Sequence, residues 1–113
     1  MGRAKGKGDV VGLKEVNQGD IIHVEGIRGD IFVASKDRFN KSGMIVGCPV
    51  IRDGKSAALH IPISTGDWDG IVICEQLKSI DISARGYGKV DEVSIADVME
   101  VTDAIQGIFD YVF

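Results

Sequence analysis

No apolar run in this chain goes far before a glycine-bearing turn interrupts it, and that punctuation limits what the chain can build. Its 113 residues include 15 glycines. Between them stand short stretches rich in β-branched residues, separated by turn signals such as Gly26-Ile27-Arg28-Gly29, Asn40-Lys41-Ser42-Gly43 and Asp53-Gly54. Such spacing predicts short strands joined by tight turns. The expected strands are Asp20 to Glu25, Asp30 to Ser35, Met44 to Val50, Ala57 to Ile63, Ile71 to Ile80 and about Arg85 to Val90. The first does not alternate cleanly, so both of its faces are expected to be partly covered. Pro62 marks an edge or an end, because proline cannot donate to a ladder. Lys36 to Asn40 reads as one helical turn capped by Ser35.

A helix closes the pattern. Ser94 with Asp97 approximates a capping box. Ile95, Val98, Val101 or Thr102, Ile105 and Ile108 or Phe109 then recur at helical spacing, with Asp97, Glu100 and Asp103 off the stripe. The expected fold class is mainly β: a small closed or nearly closed barrel carrying one C-terminal amphipathic helix. Residues 10–113 make one domain with one modest core. Residues 1–9 read as a flexible basic arm, and Tyr111, Val112 and Phe113 as an apolar tail that folds back or joins a partner surface.

Composition narrows the function classes. No apolar run reaches the roughly 20 residues that span a bilayer. Cys48 and Cys74 sit in apolar runs and read as small core hydrophobes of a reduced, cytoplasmic protein. No Cys-x-x-Cys or paired histidine suggests a metal, and no cofactor is expected. The net charge of −4 is unevenly spread: Arg3, Lys5 and Lys7 are unopposed in residues 1–8, and residues 91–113 carry acids only. An acidic chain is not built for strong non-specific binding of nucleic acid. A polyanion site here has to be a local basic patch.

The most informative stretch is Gly70 to Gly86, GIVICEQLKSIDISARG. It begins as a buried strand and ends dense in charge. Gly70, Val72, Gln76, Ser79, Asp81, Ala84 and Arg85, followed by Val93-Ser94, resemble the C-terminal half of the MazF/PemK/Kid toxin family. Gly19-Asp20-Ile21-Ile22, Arg38-Phe39-Asn40 and Cys48-Pro49-Val50 fit the same family in order, over roughly residues 17 to 112. The resemblance implies a strongly twisted Src-homology-type barrel acting as a homodimer. It also implies the toxin of a type II toxin-antitoxin pair: a metal-independent endoribonuclease that cuts single-stranded RNA and is held in check by a cognate antitoxin. The alternative is a catalytically impaired relative, binding nucleic acid or a protein in the manner of a CcdB-like gyrase poison.

RNA brings its own nucleophile, the 2′-hydroxyl. A protein then needs a base for that proton, an acid for the leaving oxygen and cations for the charged phosphorane. Arginine suits the last role because its fork matches phosphate oxygens. The catalytic candidates are Arg28, Asp81 and Arg85, with His23 as a second choice for the proton; the RNA-binding candidates are Arg52, Lys55 and Lys78. Against these roles, Lys78, Asp81 and Arg85 also fit ordinary rim charges, and Arg85 an ion pair to Asp81 or another strand carboxylate. Two departures from the family pattern stand out. The loop after the first strand has shrunk to Gly26–Gly29, with Arg28 followed by Gly29 and not proline. Ile51 stands where the family tends to place a hydroxyl, and it cannot donate a hydrogen bond. Arg28, Arg52, Lys78 and Arg85 are expected to meet on one concave face.

Overall fold

The computed structural model describes residues 15–109. The basic arm and the apolar tail expected at the ends lie outside the described residues. Seven strands are present: β1 (Asp20–Val24), β2 (Asp30–Val33), β3 (Met44–Ile51), β4 (His60–Ser64), β5 (Asp69–Ile73), β6 (Lys78–Asp81) and β7 (Tyr87–Glu92). A single-turn helix, α1 (Asp37–Asn40), a 3-10 turn (Cys74–Gln76) and a helix, α2 (Ile95–Phe109), complete the described residues. All pairings are antiparallel, in the order β4-β5-β3-β2-β1-β7, with β6 also on β3.

Where one strand was expected from Ile71 to Ile80, there are two. β3 pairs first with β5, Val50 opposite Val72, and then with β6, Met44 opposite Asp81. Between these pairings the register slips by three residues, the length of the 3-10 turn Cys74–Gln76. The turn is thus a bulge in one long partner of β3, and it gives the sheet a sharp local bend. The fourth strand starts later than expected, because Ala57 and His60 exchange backbone hydrogen bonds of 3.1 and 3.2 Å across a tight turn. Pro62 does sit on an edge strand, since among the described residues β4 pairs only with β5. Ser35 does not cap α1; Lys36 holds that position without a side-chain cap. The Ser35 hydroxyl instead donates to Asn40 Oδ1 and accepts from the Val46 amide at 2.9 Å, tying α1 to β3.

Both faces of the sheet are buried, as the uneven first strand foretold. Ile21, Phe32, Cys48, Val50, Ile63 and Val72 form one cluster with Val98 and Val101 of α2. Ile22, Val24, Ile31, Val33, Ile45, Ile80 and Ile82 form the other, with Val16. No α2 residue enters the second cluster. Its members come from adjacent strands, so the sheet buries that face by curling round it. Within α2 the buried line is Val98 and Val101, and Ile95 is 72% exposed. Asp97 explains this correction: its Oδ2 accepts from the Ser64 amide of edge strand β4 at 2.9 Å. Ile95 lies two residues back, about 200° round the helix, and so faces outward. The capping box is therefore half made, with Ser94 Oγ accepting from the Asp97 amide at 3.3 Å.

Cys48 and Cys74 are buried free thiols. Burial, chiefly, pushes Cys48 up to about 12 and Cys74 up to about 11, so neither forms a thiolate at neutral pH. No helix among the described residues is long and apolar enough to cross a membrane.

Gly47 is the tightest point of the sheet. A Cβ there would lie 2.5 Å from Ile31 Cγ2 and 2.7 Å from the Phe32 carbonyl oxygen. Gly47→Ala is expected to lower stability by about 2 kcal/mol or more, because backbone has to move. Gly88→Ala in β7, with nothing within 4 Å of its Cβ, should stay within about 0.5 kcal/mol of wild type. Urea unfolding of the two variants checks both values.

Candidate functional site

The β1–β2 hairpin organises the exposed polar groups. Its turn closes with the Ile27 amide donating to the Val24 carbonyl at 3.0 Å, and Gly26 and Gly29 take positive φ. β7 enters beside it, the Glu25 amide donating to Gly86 O at 2.8 Å. That pairing brings Arg85 onto the turn. Its Nη1 donates to the Glu25 carbonyl at 3.4 Å and lies 3.3 Å from where a Cβ on Gly26 would stand. The absent side chain at Gly26 is what lets the guanidinium approach the backbone. Arg28 is exposed on the same turn.

A second group lies on the α2-covered face, past the end of the helix's cover. His23 opposes Asp30, and Asp30 opposes Val50, so these residues share one side of the sheet. Asp30 Oδ1 is 3.8 Å from His23 Nδ1, and its Oδ2 is 3.8 Å from Arg52 Nη2. Arg52 follows two residues after Val50 and lies 4.0 Å over the Trp68 ring. A strip His23, Asp30, Arg52, Trp68 thus runs across β1, β2, the end of β3 and the β4–β5 loop. A hollow of about 370 Å³ adjoins it, lined by His23, Glu25, Tyr87, Gly88, Lys89 and Val90.

The expected site residues divide. Arg28 and Arg85 share the hairpin turn, and Arg52 docks on Asp30 just beyond it. Lys78 opposes Gly47 near the middle of β3, and Asp81 opposes Met44 at the far end of that strand. Lys55 is exposed in the loop after β3. Arg85 reaches the Glu25 carbonyl, and its charge adds a smaller pull on Asp81. Asp81 is itself engaged: its Oδ1 accepts from the Ser83 hydroxyl, the Ser83 amide at 3.0 Å and the Ala84 amide at 3.3 Å. The Ser83 hydroxyl, first among these, holds its carboxyl below the usual carboxylate range. Among the described residues no cluster of His, Cys, Asp and Glu could hold a metal ion. Sequence reasoning passed over Asp30, Glu25 and Trp68. The available signal was a lone tryptophan flanked by Asp67 and Asp69, and a carboxylate opening β2.

A family model described as PemK-like, MazF-like toxin of type II toxin-antitoxin system matches residues 17–109. Among curated proteins, none matches the chain. Solved structures do. A chain of the MazE-MazF crystal structure from Deinococcus radiodurans superposes with a TM-score of 0.75 at 19% identity, over 85% of this chain and 97% of that one. An endoribonuclease in complex with its cognate antitoxin, from a mycobacterial species, gives 0.72 at 13%, over 87% and 98%. The Mycobacterium tuberculosis toxin MazF-mt6 gives 0.64 at 13%, over 82% and 99%. At these identities the likeness is one of fold.

Ser83→Ala should move the Asp81 midpoint back up, because the hydroxyl is the main stabiliser of its carboxylate. The contribution of a depressed carboxyl is present above its unfolded pKa and lost as pH falls through the folded one. The variant should therefore part from wild type at neutral pH and rejoin it in acid. An NMR pH titration of the Asp81 carboxyl carbon, with urea unfolding at two pH values, checks both.

Proposed function

We propose an RNA-cleaving activity from one premise: the chain belongs to the PemK-like, MazF-like toxins of type II toxin-antitoxin systems. The protein acts as an endoribonuclease on single-stranded RNA. The observation that carries this reading is the placing of two guanidinium groups, from distant parts of the chain, on one glycine turn. Arg28 rises from that turn, and Arg85 lies against its backbone at Glu25 and Gly26. Phosphate oxygens suit such a pair, because each guanidinium offers parallel donors.

In this reading the RNA 2′-oxygen attacks the adjacent phosphorus and the 5′-oxygen leaves. The products are a 2′,3′-cyclic phosphate and a 5′-hydroxyl. Arg28 and Arg85 balance the charge that builds on the phosphorane oxygens. Asp81 serves the turn that presents Arg85, its Oδ1 engaged by the Ser83 hydroxyl and the Ser83 and Ala84 amides. His23, exposed and 3.8 Å from Asp30 Oδ1, carries the proton in this reading. Lys78 lies farther out and touches a flanking phosphate; Lys55, exposed three residues beyond Arg52, contacts RNA beside that arginine. The fold relatives solved with MazE or another cognate antitoxin support a cognate antitoxin as partner. We assign its contact to this face, and the acting form to a homodimer in the cytoplasm.

One observation favours a second reading. Ile51 offers no hydroxyl and is 40% exposed at the end of β3. A site with that apolar side chain suits a module that holds its target without cutting it. Purified full-length protein incubated with a long single-stranded RNA and a chelator separates the two. Cleavage is expected, with Arg28→Ala and Arg85→Ala each slowing it by about 10²–10³-fold. Intact RNA in every lane, alongside growth arrest on expression in a bacterial host, would instead establish the binding module.

A further inference from the structure

We propose that Arg52 and Trp68 form a stacking platform for a nucleobase of single-stranded RNA, and that Arg52 is not a phosphate contact. The inference rests on the RNA reading above and adds to it how part of the substrate is held.

The platform is built from the core outward. The Trp68 ring packs against the α2-side cluster and lies so close to Gly70 that a Cβ there would stand 2.8 Å from Cζ3. Its loop is fixed at both ends: the Thr65 amide donates to the Trp68 carbonyl at 2.9 Å, and the Trp68 amide to Thr65 Oγ1 at 3.1 Å. Arg52 Cζ lies over this ring, 4.0 Å from its centroid and within cation–π range, and Nη2 is 3.8 Å from Asp30 Oδ2. The side chain remains 55% exposed. A guanidinium backed by an indole and half open to solvent can take the face of a base. Much of the rotamer freedom of the arginine is already spent before RNA arrives.

Charge decides which part of a nucleotide lands there. Asp53 adjoins Arg52 in sequence, Asp67 and Asp69 flank Trp68, and Asp30 faces the guanidinium; the cations are Arg52 and Lys55. Carboxylates outnumber cations, so a phosphate is repelled where a neutral base is not. The hairpin cations Arg28 and Arg85 come from other segments than Asp53, Asp67 and Asp69. Asp30 is the residue after Gly29, so a base on the platform belongs to a nucleotide close to the phosphate held at the turn.

The test uses the full chain and a single-stranded RNA 2′-O-methylated at every position, which blocks cleavage, with 2-aminopurine at successive positions. Binding and quenching are followed by fluorescence across a series of salt concentrations. Arg52→Lys keeps the charge but loses the plane. It and Arg52→Ala are expected to weaken binding about tenfold and to remove the quenching at one position. The slope of log affinity against log salt should stay that of wild type, whereas Arg85→Ala should lower it by about 0.7. A slope lowered by Arg52→Ala, or wild-type binding and quenching in Arg52→Lys, would overturn the platform and leave the RNA reading standing. Failure of the wild-type protein to bind the RNA at all would overturn both.

Discussion

Strand β3 is hydrogen-bonded along both edges, by β2 on one and by β5 and then β6 on the other. The rest of the molecule follows from that double engagement. A strand paired on both sides cannot slide without moving every residue to the wrong face. Gly47 sits at its middle with Ile31 and the Phe32 carbonyl pressed where a side chain would stand. The three-residue slip between β5 and β6 bends the sheet, and the bend lets one face close on itself while α2 covers the other. It also redirects the chain after β6. The chain leaves Asp81 at the Met44 end of β3, turns through Ser83 and Ala84, and enters β7 beside Glu25. Arg85 therefore reaches a hairpin that its sequence neighbours on β6 do not touch.

The site follows from trimming as much as from addition. Glycine at position 26 leaves the hairpin backbone open there, and a guanidinium occupies that room. Acids are not absent from the neighbourhood, but they are placed by role. Asp81 shapes a turn, Asp30 bridges His23 and Arg52, and Asp97 closes the edge strand. An acidic chain can present a cationic spot in this way because local geometry, not net charge, sets the field a phosphate meets at close range.

Much of this was legible in the amino-acid sequence. Glycine spacing marked the turns, the failure of β1 to alternate marked its two buried faces, and Pro62 marked an edge. The Gly70–Gly86 stretch and its companions pointed to the family that the match over residues 17–109 shows. What escaped was set by long-range geometry. The split of β5 from β6 depends on the register each keeps with β3, which no local pattern encodes. Ile95 carried the helical period yet faces outward, because Asp97 found a partner in Ser64, 33 residues earlier. The pairing of Arg52 with Asp30 and Trp68 joins three segments, and none of them announces the others. Lys78 and Asp81 fell in one stretch with Arg85, yet they stand on β6 opposite β3 while Arg85 turns to the β1–β2 hairpin, close enough to Asp81 only for a minor charge effect.

The most direct measurement is NMR of the arginine side-chain Nε–Hε signals while a single-stranded RNA blocked against cleavage is added. Arg28 and Arg85 should shift together at the same RNA concentration, since both face one phosphate on the β1–β2 turn. Signals of Arg28 and Arg85 that stay fixed while amides along α2 move would contradict the placing of the site at the hairpin.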